Sequence, residues 1–292
     1  MTCFWLAAWC LWVLYMVDGQ RVQLGMYKDS LDDQYVGCLD QMEALAPGLL
    51  RKERQKDKEL DNAWEEASET WLIKKSSMKT LPEGFKDEHG IALLVYTDMN
   101  IPVYKQLNQA VREYGVDPQS FMYHSLHFYL TRALTLLRVG CDGKPWSTYR
   151  GASRILFEPP PKPQHHIRLS QFASSSTDIG QAQQFGNASF FNITTCFGAD
   201  IHNFSYFSHQ KEVLIPVDEV FHVSKYIQEG NRFILQSTEK RCSFYNCAYL
   251  GGIKRPSCTY NAAPIPGRFS EAVTVPLLVG LGIAVSFMTL NL

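Results

Sequence analysis

Three polar clusters in the second half of this chain hold the side chains suited to chemistry. Trp146-Ser147-Thr148-Tyr149-Arg150-Gly151 sets an arginine beside a glycine. A guanidinium takes phosphate through charge-assisted hydrogen bonds, and a glycine lets a backbone amide approach the same anion. Gln171-Phe172-Ala173-Ser174-Ser175-Ser176 is a run of hydroxyls at an expected strand end, leading to Gln181, Gln184 and Phe185. His209-Gln210-Lys211-Glu212-Val213-Leu214-Ile215-Pro216 places a carboxylate at the mouth of a short apolar strand. Alternation along an extended chain predicts that Gln210 and Glu212 share a face. Each cluster alone has an ordinary reading as a strand end, a cap or a common Arg-Gly pair. All three fall in one strand-rich half, where they can converge.

Other candidates are weaker. His124 and His127 flank the start of an expected helix, where a histidine packs or caps more often than it reacts. Cys242 and Cys247 are close together, but no second Cys/His pair recurs at ligand spacing, so no metal site is expected.

The elements that must hold these clusters change character along the chain. Residues 39–75 are rich in charge, with Met42, Leu45, Leu49, Leu50, Leu60, Trp64, Ala67 and Trp71 spaced largely by threes and fours. That spacing predicts amphipathic helices, with the charge run at 51–59 as a solvated face. The apolar run 91–96 is ambiguous between helix and strand. Residues 103–114 and 125–139 read as helices. After Cys141 the helical period fades, and strands are expected at 148–150, 167–172, 190–197, 212–215, 221–227 and 232–236. Helices first and strands second predict an α+β fold.

With 292 residues and a formal net charge of −1, the chain can bury a sizeable core and has no overall basic field, so nucleic acid is not an expected partner. Met1 to Val17 is apolar and uncharged before Asp18, Gly19 and Gln20, which reads as a signal peptide over 1–20. Residues 272–292 are again apolar and uncharged. With the small residues Asn261, Ala262 and Ala263 and a spacer before them, they read as a glycosylphosphatidylinositol signal, 261–292 being removed and Asn261 carrying the lipid; a retained spanning helix is the alternative. Loss of Cys3 and Cys10 with the signal peptide leaves Cys38, Cys141, Cys196, Cys242, Cys247 and Cys258, an even set in an oxidising compartment whose pairing the spacing leaves open. Asn187, Asn192 and Asn203 each begin a glycosylation sequon.

Taken in order, the three clusters resemble the vertebrate ecto-mono-ADP-ribosyltransferase family, whose NAD site is built from an arginine, a serine of a Ser-x-Ser strand motif, and a Glu-x-Glu or Gln-x-Glu pair. Asp32-Asp33-Gln34-Tyr35-Val36-Gly37-Cys38, Asp87-Glu88-His89-Gly90, Leu126-His127-Phe128 and Tyr245-Asn246-Cys247 point the same way. The resemblance runs from about Ser30 to Tyr260, and the look is nearest to the T-cell surface members, described as NAD glycohydrolases and arginine transferases. It implies a helical N-terminal part, 21–140, packed on a strand-rich NAD-binding catalytic core, 141–260. NAD enters as substrate, with no permanently bound cofactor, and the partners are arginine-bearing surface proteins and the membrane through the lipid. Arg150 becomes the phosphate ligand with Gly151, Ser174 a support for the nicotinamide ribose and the catalytic glutamate, Glu212 that glutamate, and Phe185 a packing surface for nicotinamide or adenine. Efficient arginine transferases of the family carry glutamate where this chain has Gln210, which neither pairs as an ion nor accepts a proton. Hydrolysis of NAD is therefore expected to exceed transfer. The family pattern also implies Cys38 with Cys247 and Cys141 with Cys196, leaving Cys242 with Cys258. A catalytically silent surface protein that binds on the same scaffold is the rival reading.

Overall fold

The computed structural model describes residues 20–138, 141, 144–162 and 165–262. Of the expected signal peptide over 1–20 and anchor signal over 261–292, residues 1–19 and 263–292 lie outside the described residues. Five helices come first: α1 (Leu39–Lys56), α2 (Lys58–Ser77), α3 (Asp87–Thr97), α4 (Val103–Glu113) and α5 (His124–Leu137). Asp57 divides the charge-rich stretch, since its carboxylate accepts from the amides of Glu59 and Leu60 and so caps α2. A cap of this kind contributes about 1 kcal/mol. The apolar stripe faces inward as its spacing predicts, with Met42, Leu49, Leu60, Trp64, Ala67 and Trp71 buried; Leu45 is the exception and is exposed. Residues 91–96 resolve as helix, because α3 runs through the middle of the helical layer with Ala92 to Thr97 all buried.

The strands are β1 (Gln20–Gln23), β2 (Trp146–Ala152), β3 (Ile155–Glu158), β4 (His166–Ile167), β5 (Ala173–Ser176), β6 (Ser189–Thr195), β7 (Ala199–Asp200), β8 (Glu212–Ile215), β9 (Glu219–Ile227), β10 (Arg232–Ser243) and β11 (Thr259–Ala262), with the short helix α6 (Ile179–Gln184) after β5. Nine of them form one sheet in the order β4-β9-β10-β6-β2-β5-β8-β7, with β11 added to β10. The β10–β6 pair is parallel and the other pairs in this sheet are antiparallel. β1 and β3 form a separate parallel ribbon. The helices pack on the sheet through one continuous core that joins Met42, Trp71, Leu94 and Leu130 to Phe172, Leu214 and Val220. A smaller core with Phe191, Ile193, Phe221 and Phe233 is gathered beneath Leu24.

The strand expected over 167–172 is not formed as such. Only His166–Ile167 joins the ladder, because Arg168 turns inward to a fully buried ion pair with Asp32 and Ser170 takes a positive φ of 61°. The guanidinium also donates to the carbonyls of Met26, Tyr27 and Cys242, each at 2.8 Å. Asp32 in turn accepts from the amides of Phe244 and Tyr245, both at 2.8 Å. Asp33 takes the amides of Tyr35, Cys247 and Ala248. Burial pushes both carboxyls up; Arg168 and the amides work against it at Asp32, and the amides, with Arg255, at Asp33. The acidic pair is thus a clasp that ties the N-terminal segment to the end of β10. Disulfides join Cys38 to Cys247 across 209 positions of sequence, Cys141 to Cys196, and Cys242 to Cys258. His127 belongs to the same region: it is 1% exposed, held by the Tyr35 hydroxyl at 2.7 Å and the Leu31 carbonyl at 3.1 Å. Burial lowers its pKa to about 3.

Candidate active site

Strands β2, β5 and β8 are neighbours in the sheet, and each delivers one of the sequence-selected residues: Arg150 from β2, Ser174 from β5, Glu212 from the first position of β8. Ser176 lies opposite Glu212, and Ser174 opposite Leu214. The three side chains line a cleft of about 330 Å³ together with Gly151, Phe185 and Gln210. Tyr96, Asn108 and Tyr104 from the helical layer close its other wall.

Each position has a local cause. The Arg150 guanidinium donates to the Ser174 carbonyl at 2.5 Å, which fixes β5 against β2. Gly151 sits where β2 passes under the end of α6; a Cβ there would meet the Gly186 oxygen at 2.3 Å and the Ala182 oxygen at 2.5 Å. The glycine is therefore required by close approach and brings α6, with Phe185 at its C-terminal end, to the cleft rim. Phe185 is 47% exposed and available to a flat ligand. Asp178 caps α6 through the amides of Gly180 and Gln181.

Gln210 and Glu212 both reach the cleft, but strand alternation is not the reason. Gln210 ends a short 3-10 turn, Ser208–Gln210, and Lys211 between the two adopts a left-handed φ of 48°. The chain becomes strand only at Glu212. The turn is pinned from β5, since the Ser176 hydroxyl donates to the Gln210 carbonyl at 2.6 Å. Lys211 also pairs with Asp178 at 3.2 Å. The side-chain placement expected from the sequence is thus reached by a different backbone path.

Burial raises the Glu212 pKa to about 7, against the opposing pull of the Ser174 hydroxyl and the Arg150 charge. Burial lowers the Arg150 pKa, which starts so high that the group stays cationic. Tyr96 is pushed up to about 12, chiefly by burial. Its hydroxyl donates to the Phe172 carbonyl at 2.9 Å and accepts from the Asn108 amide at 3.1 Å. The buried Asn108 oxygen has no donor among the described residues. The site thus combines a fixed cation, a carboxylate poised near neutrality, and donors and acceptors on both walls. Among the described residues no group of His, Cys, Asp or Glu is arranged to hold a metal ion.

The family model for NAD:arginine ADP-ribosyltransferase matches residues 24–243, a span that contains every cleft residue named above. The chain belongs to that family. It is 46% identical over 261 residues to the ecto-ADP-ribosyltransferase 5 of Bos taurus, covering 86% of this chain and 81% of the relative. Identity to the T-cell ecto-ADP-ribosyltransferase 1 of Mus musculus is 38% over 289 residues, covering 96% and 95%. The likeness to the bovine protein therefore exceeds that to this T-cell member, contrary to the expectation from the motifs. A solved variant of the mono-ADP-ribosyltransferase ART2.2 in complex with NAD superposes with a TM-score of 0.68 at 38% identity, over 78% of this chain and 99% of that one. This NAD:arginine ADP-ribosyltransferase family member thus has the α+β fold with a helical part on a strand-rich core.

Sequence reasoning missed Tyr96, Tyr104, Asn108 and Arg154. Tyr96 closes an apolar run and Asn108 lies on an amphipathic helix, so neither position carries a local signal that distinguishes a cleft wall from core. Arg154 lines the cleft from the bend after β2, where an exposed arginine carries no local signal that separates it from ordinary surface.

Proposed function

We propose that this protein cleaves the nicotinamide–ribose bond of NAD at the outer face of the cell membrane and passes ADP-ribose to arginine or water, with water favoured. The observation that carries this reading is the convergence of Arg150, Ser174 and Glu212 from three adjacent strands in one cleft of an NAD:arginine ADP-ribosyltransferase family member. In this reading Arg150 and the backbone at Gly151 hold the diphosphate, and Phe185 covers the nicotinamide or adenine ring. The C1′–N bond breaks with its electron pair passing to the nicotinamide ring, leaving an oxocarbenium-like ribose. Glu212, when ionised, stabilises that positive charge, and Ser174 orients the carboxylate and the ribose. The acceptor nitrogen or oxygen then bonds to C1′ and releases a proton. A fixed group aimed at developing charge contributes about 3 to 4 kcal/mol of barrier.

Gln210 supports the partition toward water. It reaches the cleft beside Glu212 but offers a neutral amide, which hydrogen-bonds a guanidinium without accepting its proton. The surface setting rests on the signal sequence, the even cysteine set and the relatives named as ecto-enzymes. Asn261 is the proposed anchor site. Asn187 and Asn203 are exposed and suit glycan attachment better than Asn192, which lies within β6.

Membranes bearing the full-length protein, supplied with labelled NAD and agmatine, test this. Wild type is expected to release nicotinamide with free ADP-ribose as the main product, and Glu212→Ala to lose release by about a hundredfold or more. Gln210→Glu is expected to raise the share of ADP-ribosylated agmatine; an unchanged share removes Gln210 from acceptor choice. Equal nicotinamide release by wild type and Glu212→Ala removes Glu212 from the mechanism, and absence of release from wild type leaves the silent binding protein as the reading.

A further inference from the structure

Three charged side chains line the cleft among the described residues: Arg150, Arg154 and Glu212. Arg150 has its partners, being anchored on the Ser174 carbonyl and facing Glu212. Arg154 does not. It sits exposed in the turn between β2 and β3, with no hydrogen bond or ion pair to the described residues. The one carboxylate, Glu212, has a pKa of about 7 and is only partly ionised at neutral pH, while Gln210 adds no charge. Just outside the lining, Arg112 holds Gln171, and the charge of Lys211 is already matched by Asp178. The lining is therefore net positive. Arg154 is exposed, so its charge reaches over about one Debye length, about 8 Å at physiological ionic strength, and added salt shortens that reach.

Resting on the NAD-cleaving reading above, in which Arg150 and the Gly151 backbone take the diphosphate, we infer that Arg154 is a specificity-determining residue whose charge, left free, keeps cationic guanidinium acceptors out. Water carries no charge and meets no such barrier. Once the C1′–N bond has broken, ADP-ribose is captured by water more readily than by an arginine that must pass the Arg154 cation. The protein acceptors this cleft admits best are arginines flanked by aspartate or glutamate, whose carboxylates offset that cation.

The test compares wild type, Arg154→Gln and Arg154→Lys in membranes bearing the full-length protein, with labelled NAD and agmatine at low and high salt. The readout is the ratio of ADP-ribosylated agmatine to free ADP-ribose. Both products arise from the same NAD complex, so a change in NAD affinity alone leaves the ratio unmoved. Arg154→Gln is expected to raise it about fivefold at low salt, the size of one charge interaction at about 4 Å in water. High salt should shrink the difference, and Arg154→Lys should keep the wild-type ratio. Equal ratios in wild type and Arg154→Gln, a gain that salt does not affect, or the same gain in Arg154→Lys would each overturn the inference. Nicotinamide release with unchanged ratios sinks this inference alone, whereas absence of release from wild type sinks the NAD-cleaving reading with it.

Discussion

Glu212 is held where its charge is costly, and that cost links activity to stability. Its folded pKa of about 7 stands above the ordinary 4.5 because of burial. Between those values the native protein keeps the proton that the unfolded chain has lost, so stability falls as pH rises through the window and levels off above it. A shift of this size corresponds to on the order of 3 kcal/mol. The role proposed for Glu212 needs the ionised form, so activity should run the other way and climb with pH through about 7. Thermal melts of Glu212→Gln across this range should show a shallower decline than wild type and a higher melting temperature at neutral pH, with nicotinamide release abolished. Part of the slope should persist, because Glu219, buried against Thr195 and the amides of Cys196 and Phe197, is also raised to about 7 by burial. A variant that melts with the same pH dependence as wild type would contradict this placement of the carboxylate.

At the scale of elements, the cleft depends on how closely β2 and α6 approach each other. Gly151→Ala should cost about 1 to 3 kcal/mol in denaturant titrations, because the added methyl meets backbone oxygens that cannot swing aside. NAD affinity should fall with it as α6 and Phe185 are pushed back; unchanged stability would show that α6 moves freely. Elements of this kind were legible in the sequence to different degrees. The helical stripe from Met42 to Trp71 and the strand from Val213 to Ile215 were readable because their burial follows a simple period. The strand expected over 167–172 failed because Arg168 answers to Asp32, 136 positions away, and no local window contains that partner. The ribbon of β1 with β3 was invisible for the same reason. In the cleft, Arg150, Ser174 and Glu212 stood out through residue type and the family pattern. Tyr96 and Asn108 did not, since only the packing of helices on the sheet turns them into a wall.

At the scale of the molecule, the helical layer and the sheet are locked by the clasp around Asp32, Asp33 and Arg168 and by the Cys38–Cys247 disulfide. Arg168→Met should cost about 3 to 5 kcal/mol, because it leaves the Asp32 carboxylate fully buried without its cation. Chemical denaturation measures this, and a loss below about 1 kcal/mol would mean that the backbone amides alone satisfy the acid. Reducing the long-range disulfide should lower stability by about 5 kcal/mol in the chain-entropy picture, since so long a loop is released in the unfolded state. The other end of the chain has a mechanical consequence. Any pull on a surface-tethered protein enters through β11, which lies antiparallel on β10 from Lys240 to Ser243. Peeling of that strand can travel inward only as far as Cys258, where the bond to Cys242 passes the load covalently into β10. Force applied at the proposed Asn261 tether is thus delivered to the long strand at the clasp, on the far side of β6 from the strands that hold Arg150, Ser174 and Glu212, and would leave the cleft in register.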